Sequence, residues 1–183
     1  CIYYLLAPAM SLPLKYRFST NARDLIDLRI QIKETDILIR SDRSVRKNAE
    51  DSLFRVRRIL EDYVRKNPRF EESMIPVPVE KSAPPIIREM AVAARLCGVG
   101  PFAAVAGAVA QAVGRELSSF SSEIMVENGG DIYIYSRKTR VVGLFVGQEN
   151  PYHQKLGIEI SPCDTPIGVA ASSGSMGRSL SFG

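Results

Sequence analysis

The sequence predicts an α+β fold, and three observations carry it. Residues 25–32, LIDLRIQI, alternate Ile26, Leu28, Ile30 and Ile32 at the period of a half-buried strand. Residues 44–67 place Val45, Ala49, Leu53, Val56, Leu60 and Val64 at steps of three and four, the apolar stripe of a long amphipathic helix. Beyond residue 120 the chain breaks into short apolar runs separated by Gly, Asn and Pro. Strands, then helices, then strands again is the order of segregated α and β layers.

Each element follows from local chemistry. KETD turns the chain after the first strand, and ILIR (37–40) pairs back on it as a hairpin. The helix of 44–67 stops at Pro68, which cannot continue it. SMIPVPVEKSAPP (73–85) is a proline-rich crossover that either links two lobes or crosses one surface. A second helix runs from Ile86 to Cys97 with Gly98 placed to terminate it, so Cys97 reads as a small core residue. In GVGPFAAVAGAVAQAVGREL (98–117), Pro101 suits the first turn of a third helix. Phe102, Val105, Ala106, Val109 and Val113 form its stripe, and Ala103, Ala104, Gly107, Ala108 and Ala110 keep it thin enough for close packing. Strands are expected at 123–127, 131–136, 140–147, 155–160 and 166–171, as a meander.

Composition narrows the class. The 183 residues suffice for one core or two small lobes. With 45% apolar and 24% charged residues the chain reads as a globular domain, and no run is long enough to span a membrane. The net charge of +4 gathers in Arg43–Lys66, where basic side chains alternate with Glu50, Asp51, Glu61 and Asp62. That is a solvated helix face; without zinc spacing, an aromatic basic ribbon or a Trp, nucleic acid is not an expected partner. Three scattered cysteines, Cys1, Cys97 and Cys163, suit a reducing, cytoplasmic setting. The opening CIYYLLAPAM starts with Cys and reads as an incomplete or processed start.

Four glycine-bearing stretches are the candidate sites. GVGPFA (98–103) matches a dinucleotide string, but a helix and not a strand precedes it, so it reads as a helix–helix turn whose Gly100 end can face an anion. In ENGGD, Asn128-Gly129 is a hairpin signal, while Gly130 is one glycine more than that turn needs and leaves room for a ligand; Glu127 and Asp131 can accept hydrogen bonds. ASSGSMGRSLSFG (171–183) combines Ser172, Ser173, Gly174, Ser175 and Gly177 into a candidate anion nest, with Arg178 able to grip a phosphate. His153, the only histidine, sits in VGQENPYHQKLG with no catalytic or metal partner legible, and no catalytic residue is assigned.

The blocks GVGPFAAVAGAVAQAVGREL, IMVENGGDIYIY and TPIGVAASSGSMGRSLSFG, with TDILIR and YVRKNPRFEESMIP, resemble the uncharacterised prokaryotic branch of the ApbE superfamily over about residues 24–183. The resemblance implies two related α/β lobes, roughly 1–80 and 81–183, with antiparallel sheets and a ligand cleft between them. It implies FAD or FMN as ligand, Mg2+, and an acceptor protein that receives FMN. Gly129-Gly130-Asp131 matches the superfamily's G-G-D, and Ala171-Ser172-Ser173-Gly174 resembles its A-T-S-G block. The helix around Gly107 resembles A-K-G-x-x-x-D, but the Lys is Ala106 and the Asp is Gln111. The D-P-x-T-G block is absent, Gly177-Arg178-Ser179 stands where the branch has Gly-His-Ser, and the A-D-A block with its metal-binding Asp is expected beyond Gly183.

These departures imply ligand binding ahead of full transfer chemistry. Two alternatives stand beside it: an accessory protein of anaerobic sulfur and homocysteine metabolism using Cys97 or Cys163, and a non-catalytic binding or scaffold domain. Exposed strand edges and the small-residue helix make a homodimer a further expectation.

Overall fold

The computed structural model describes residues 22–144, 149–152 and 155–170. The first strand, β1 (Ile26–Ile32), pairs antiparallel with β2 (Thr35–Ser41) through a two-residue turn in which Lys33 takes φ 52°. Three helices follow, α1 (Arg46–Lys66), the short α2 (Arg69–Glu72) and α3 (Pro85–Cys97). A 3-10 turn at Pro101–Ala104 leads into α4 (Val105–Leu117). Then come β3 (Ile124–Asn128), β4 (Asp131–Tyr135), β5 (Arg140–Gly143), β6 (Gly157–Ile160) and β7 (Ile167–Val169).

The main sheet has the order β1-β2-β3-β4-β7, antiparallel throughout, so strands from either side of residue 80 share it. The last five strands are not the simple meander expected: β5 leaves the sheet to pair with β6, and β7 returns to the edge of β4. The reason lies in the polar residues after β4, where Ser136 and Arg140 bind Glu123 at the start of β3 and turn the chain away from the sheet.

Each face of the sheet buries its own cluster. Alternation puts Leu28, Ile30, Ile37, Ile39, Ile124, Val126 and Tyr133 on the side covered by α1, α3 and α4. Met125 and Ile134 point the other way and meet Val142 and Ile160 of the β5–β6 hairpin. Expected and observed helix stripes agree at Ala49, Leu53, Val56 and Leu60 of α1 and at Val109 and Val113 of α4, all buried. Cys97 is a correction: it is exposed, because α3 makes its last buried contact at Ala94 and ends at Gly98, whose φ of 70° is the left-handed C-cap.

Two contacts hold the layers in place. At Gly114 of α4 a Cβ would lie 2.1 Å from Cδ1 of the Tyr133 ring, so the helix rests on β4 at glycine distance. On the other face, Arg140 and Glu123 form an ion pair at 2.7 Å with side chains only 4% and 5% exposed. Asp24 closes a second pair with Arg140 at 2.6 Å, and Lys138 adds a third at 3.0 Å. Burial alone would raise the pKa of Glu123, but the Ser136 hydroxyl, Arg140 and the Arg137 N–H together hold it below its usual value. Hydrogen bonds from Arg140 and Lys138 depress Asp24 strongly.

Removing Glu123 leaves a buried guanidinium short of one partner, so Glu123→Ala should lose about 3 kcal/mol in urea unfolding. Both carboxyls titrate lower in the folded chain than in the unfolded one. Their stabilisation is therefore complete above the unfolded value of about pH 4 and is lost as pH falls through the depressed folded values. Gly114→Ala should cost about 2 kcal/mol by overpacking against Tyr133, whereas Gly98→Ala, which meets no atom within 4 Å, should cost about 1 kcal/mol through φ strain alone. A Gly114→Ala melting temperature equal to wild type would contradict that close packing.

Candidate functional site

The β3–β4 hairpin carries the ENGGD stretch, and its geometry answers the question of the second glycine. Asn128 and Asp131 are register partners, so the turn is Gly129-Gly130 alone. Their φ angles are 63° and 102°, both left-handed, the requirement of a tight hairpin turn that follows the sheet's twist. A Cβ on either would meet nothing within 4 Å. Backbone conformation therefore accounts for both glycines, and Gly130 is not a surplus residue. Its N–H donates to Glu127 Oε1 at 2.8 Å, which steadies the turn from the opposite face.

Alternation directs Asn128 and Asp131 to the helix side, in line with Val126 and Tyr133. Both meet the first turn of α4. Asn128 Nδ2 donates to the Ala106 carbonyl at 3.0 Å. α4 has no capping side chain of its own, since Ala104 precedes it and its first turn holds no acidic residue. The Asp131 carboxylate occupies that place: its Oδ2 lies 3.2 Å from where a Gly107 Cβ would stand. Burial pushes the Asp131 carboxyl above its ordinary pKa, and the facing Gly107 N–H only partly opposes it. A carboxylate whose charged form is disfavoured by its site, and which lines a cavity, is the kind of group that functional sites collect.

That cavity has a volume of about 140 Å3 and lies between the start of α4, β4 and β7. Gly107 and Gln111, one turn apart on α4, form one wall; Asp131, Ile132 and Tyr133 form the floor; Gly168, Val169 and Ala170 form the opposite wall. Gln111 Nε2 donates to Glu89 of α3 at 2.7 Å, and Arg115 Nη1 donates to the other Glu89 oxygen at 2.7 Å. A second hollow of about 210 Å3 lies at the far end of the sheet, lined by Arg43, Phe120, Tyr135, Arg137 and Ser118–Ser122. Asp42, which accepts from Ser121 and Ser122 and pairs with Arg43, sets its polarity.

The sequence candidates are distributed unevenly over this map. Asp131 lines the cavity; Asn128, Gly129 and Gly130 build the turn that delivers it. Gly100 is buried elsewhere, packed so tightly that a Cβ would stand 1.7 Å from the Ser73 carbonyl oxygen. Ser172, Ser173, Gly174, Ser175, Gly177 and Arg178 lie outside the described residues, and His153 lies outside them too. Cys97 and Cys163 are exposed and line neither cavity. Sequence reasoning passed over Tyr133, Gly168 and Glu89. The spacing of Gly107 and Gln111 was a legible signal for the helical wall, whereas the β7 wall depends on which strand pairs with β4.

Among the described residues no three His, Cys, Asp or Glu side chains gather as a metal cluster, and no single helix is long and apolar enough to cross a membrane.

The comparisons agree on one family. The family model described as AbpE bacteria matches residues 17–183. The chain is 40% identical over 158 residues to the UPF0280 protein of Methanocaldococcus jannaschii, an alignment that takes in 85% of this chain and 64% of that protein. It is 38% identical over 162 residues to the UPF0280 protein of Methanopyrus kandleri, covering 87% and 64%. A UPF0280 protein of Methanocella arvoryzae is 38% identical over 154 residues, covering 84% and 62%. The chain thus spans a little under two thirds of the length of these curated relatives. Its helix–hairpin blocks and this match along nearly the whole sequence place it in the AbpE bacteria family of uncharacterised proteins.

Proposed function

We propose that this chain binds a flavin nucleotide, FAD or FMN, or a closely related nucleotide, at the cavity between α4, β4 and β7. One observation carries the reading: Gly107 and Gln111 of α4, Asp131 of the hairpin and Gly168–Ala170 leading to the Ser/Gly stretch line a single space. These are the blocks whose sequence resembles flavin-handling proteins. The described space of about 140 Å3 is smaller than the roughly 300–1,000 Å3 of a drug-sized site. It holds one ring of such a ligand, and on this proposal Ser172–Arg178 face the phosphates. The two-lobe arrangement around a cleft belongs to the same proposal, as do an acceptor protein and a second copy of the chain.

Asp131 and the amide oxygen of Gln111 are hard oxygen donors of the kind Mg2+ takes. Two donors do not make the octahedron of Mg2+, so on this proposal the ion sits with the ligand phosphates outside the cavity, where it offsets their charge. A second reading, a ligand-binding domain without transfer chemistry, is favoured by Ala106 and Gln111 standing where the resembling family has Lys and Asp.

FAD binding to the full-length protein, followed by flavin fluorescence quenching and thermal shift with and without Mg2+, tests the proposal. Asp131→Ala should weaken FAD at least about tenfold, the loss of one charged hydrogen-bond acceptor. Wild-type affinity in that variant would remove the cavity from consideration.

Stability gives an independent check on Asp131. A carboxyl whose folded pKa is raised stabilises fully below its unfolded value, near pH 4, and that contribution is lost as pH rises through the folded value. Asp131→Asn should therefore melt at or above the wild-type temperature at pH 7, with the difference vanishing near pH 3. A fall of several degrees at pH 7 would show that the charge serves α4 and not a ligand.

A further inference from the structure

The start of a helix ordinarily welcomes phosphate, because unpaired N–H groups and the helix dipole point outward there. At α4 that place is taken by the chain's own carboxylate, Asp131, beside Gly107. A phosphate entering the cavity would meet this charge before it met the helix.

The second polar side chain of the cavity also has a set orientation. Gln111 reaches Glu89 at 2.7 Å, and Arg115 pairs with the other Glu89 oxygen at 2.7 Å. Carboxylate oxygens accept hydrogen bonds, so the Gln111 nitrogen is the atom assigned to Glu89, and its Oε1 is left as an acceptor. Ile132, Tyr133 and Val169 add apolar lining. The polar side chains of the cavity therefore offer two oxygen acceptors, one of them a carboxylate, set among Ile132, Tyr133 and Val169. A space of about 140 Å3 is close to the ~150 Å3 that holds one benzene ring.

We infer that this cavity recognises a planar ring edge that donates hydrogen bonds, an amidine or an imide N–H, and rejects a bare anion. Asp131 and the Gln111 Oε1 receive the donors, and Glu89 acts as a positioning residue that keeps the Gln111 amide from turning its nitrogen inward. The inference rests on the cavity being the ligand site proposed above and adds which end of a ligand enters it: the ring edge and not the phosphate.

The test uses the full-length protein in EDTA, with benzamidine, benzoate and inorganic phosphate as probes and the Gly107 and Gly168 amide resonances as the readout. Benzamidine should shift both amides and bind at least about tenfold more tightly than benzoate or phosphate, about one charged hydrogen bond's worth of discrimination. Gln111→Leu should weaken benzamidine about tenfold and leave benzoate unchanged. Glu89→Gln should narrow the benzamidine-to-benzoate ratio several-fold at an unchanged melting temperature, an effect that a merely structural Glu89 would not produce. Asp131→Ala is a poorer choice because it also removes the carboxylate at the start of α4.

Benzoate or phosphate shifting these amides as strongly as benzamidine overturns the inference, and so does silence from all three probes. Saturable benzamidine binding without FAD or riboflavin binding keeps the donor rule and removes the flavin reading. FAD binding with benzamidine silent does the reverse.

Discussion

The close approach of α4 to β3 and β4 is the constraint on which the rest of the structure depends. A helix built of Ala, Val and Gly can lie against a sheet at a distance that larger side chains forbid, and Gly114 over the Tyr133 ring is where that distance is set. The same approach brings the first turn of α4 down to the end of the β3–β4 hairpin. Asn128 and Asp131 then reach Ala106 and Gly107 without any chain of their own to span the gap. Had the helix stood off by the width of a leucine, Asn128 and Asp131 would not reach its first turn and the hairpin would be an ordinary surface turn.

The opposite face is organised by charge. Arg140 sits between Glu123 and Asp24, and this buried group links the residues before β1, the start of β3 and the start of β5. Such a pair adds little net stability compared with apolar packing, because two charges must leave water to make it. What it adds here is direction. It turns the chain out of the main sheet after β4, makes room for β7 to pair with β4, and so places Gly168 opposite Gly107 across the cavity. The ion pair and the cavity lie on different faces of one strand pair, and the first bears on what walls the second.

Asp131 is where structural and functional demands meet. Its carboxylate stands where α4 lacks a cap, yet burial makes its charge costly, and a neutral amide would suit the helix at less expense. The neighbouring Gln111, held by Glu89, shows the same pattern of a side chain oriented by groups around the site and not by the core.

Periodicity and turn residues in the sequence determined strands at 25–32 and 123–127, the two long helix stripes, the α+β class and a hairpin within ENGGD. These are local matters of side-chain spacing and backbone φ, which neighbouring residues settle. Gly130 was misread as spare because the turn's register, and hence which two residues must be left-handed, is set by pairing across the strands. The exposure of Cys97 and the departure of β5 from the main sheet were likewise illegible, since each depends on where a distant surface stops. The ENGGD motif marked Asp131, and the family resemblance marked Gly107 and Gln111, on separate stretches. Only the tertiary structure decided that they share a space with β7, because strand order is fixed by buried contacts between residues far apart in the chain, and no local pattern encodes those.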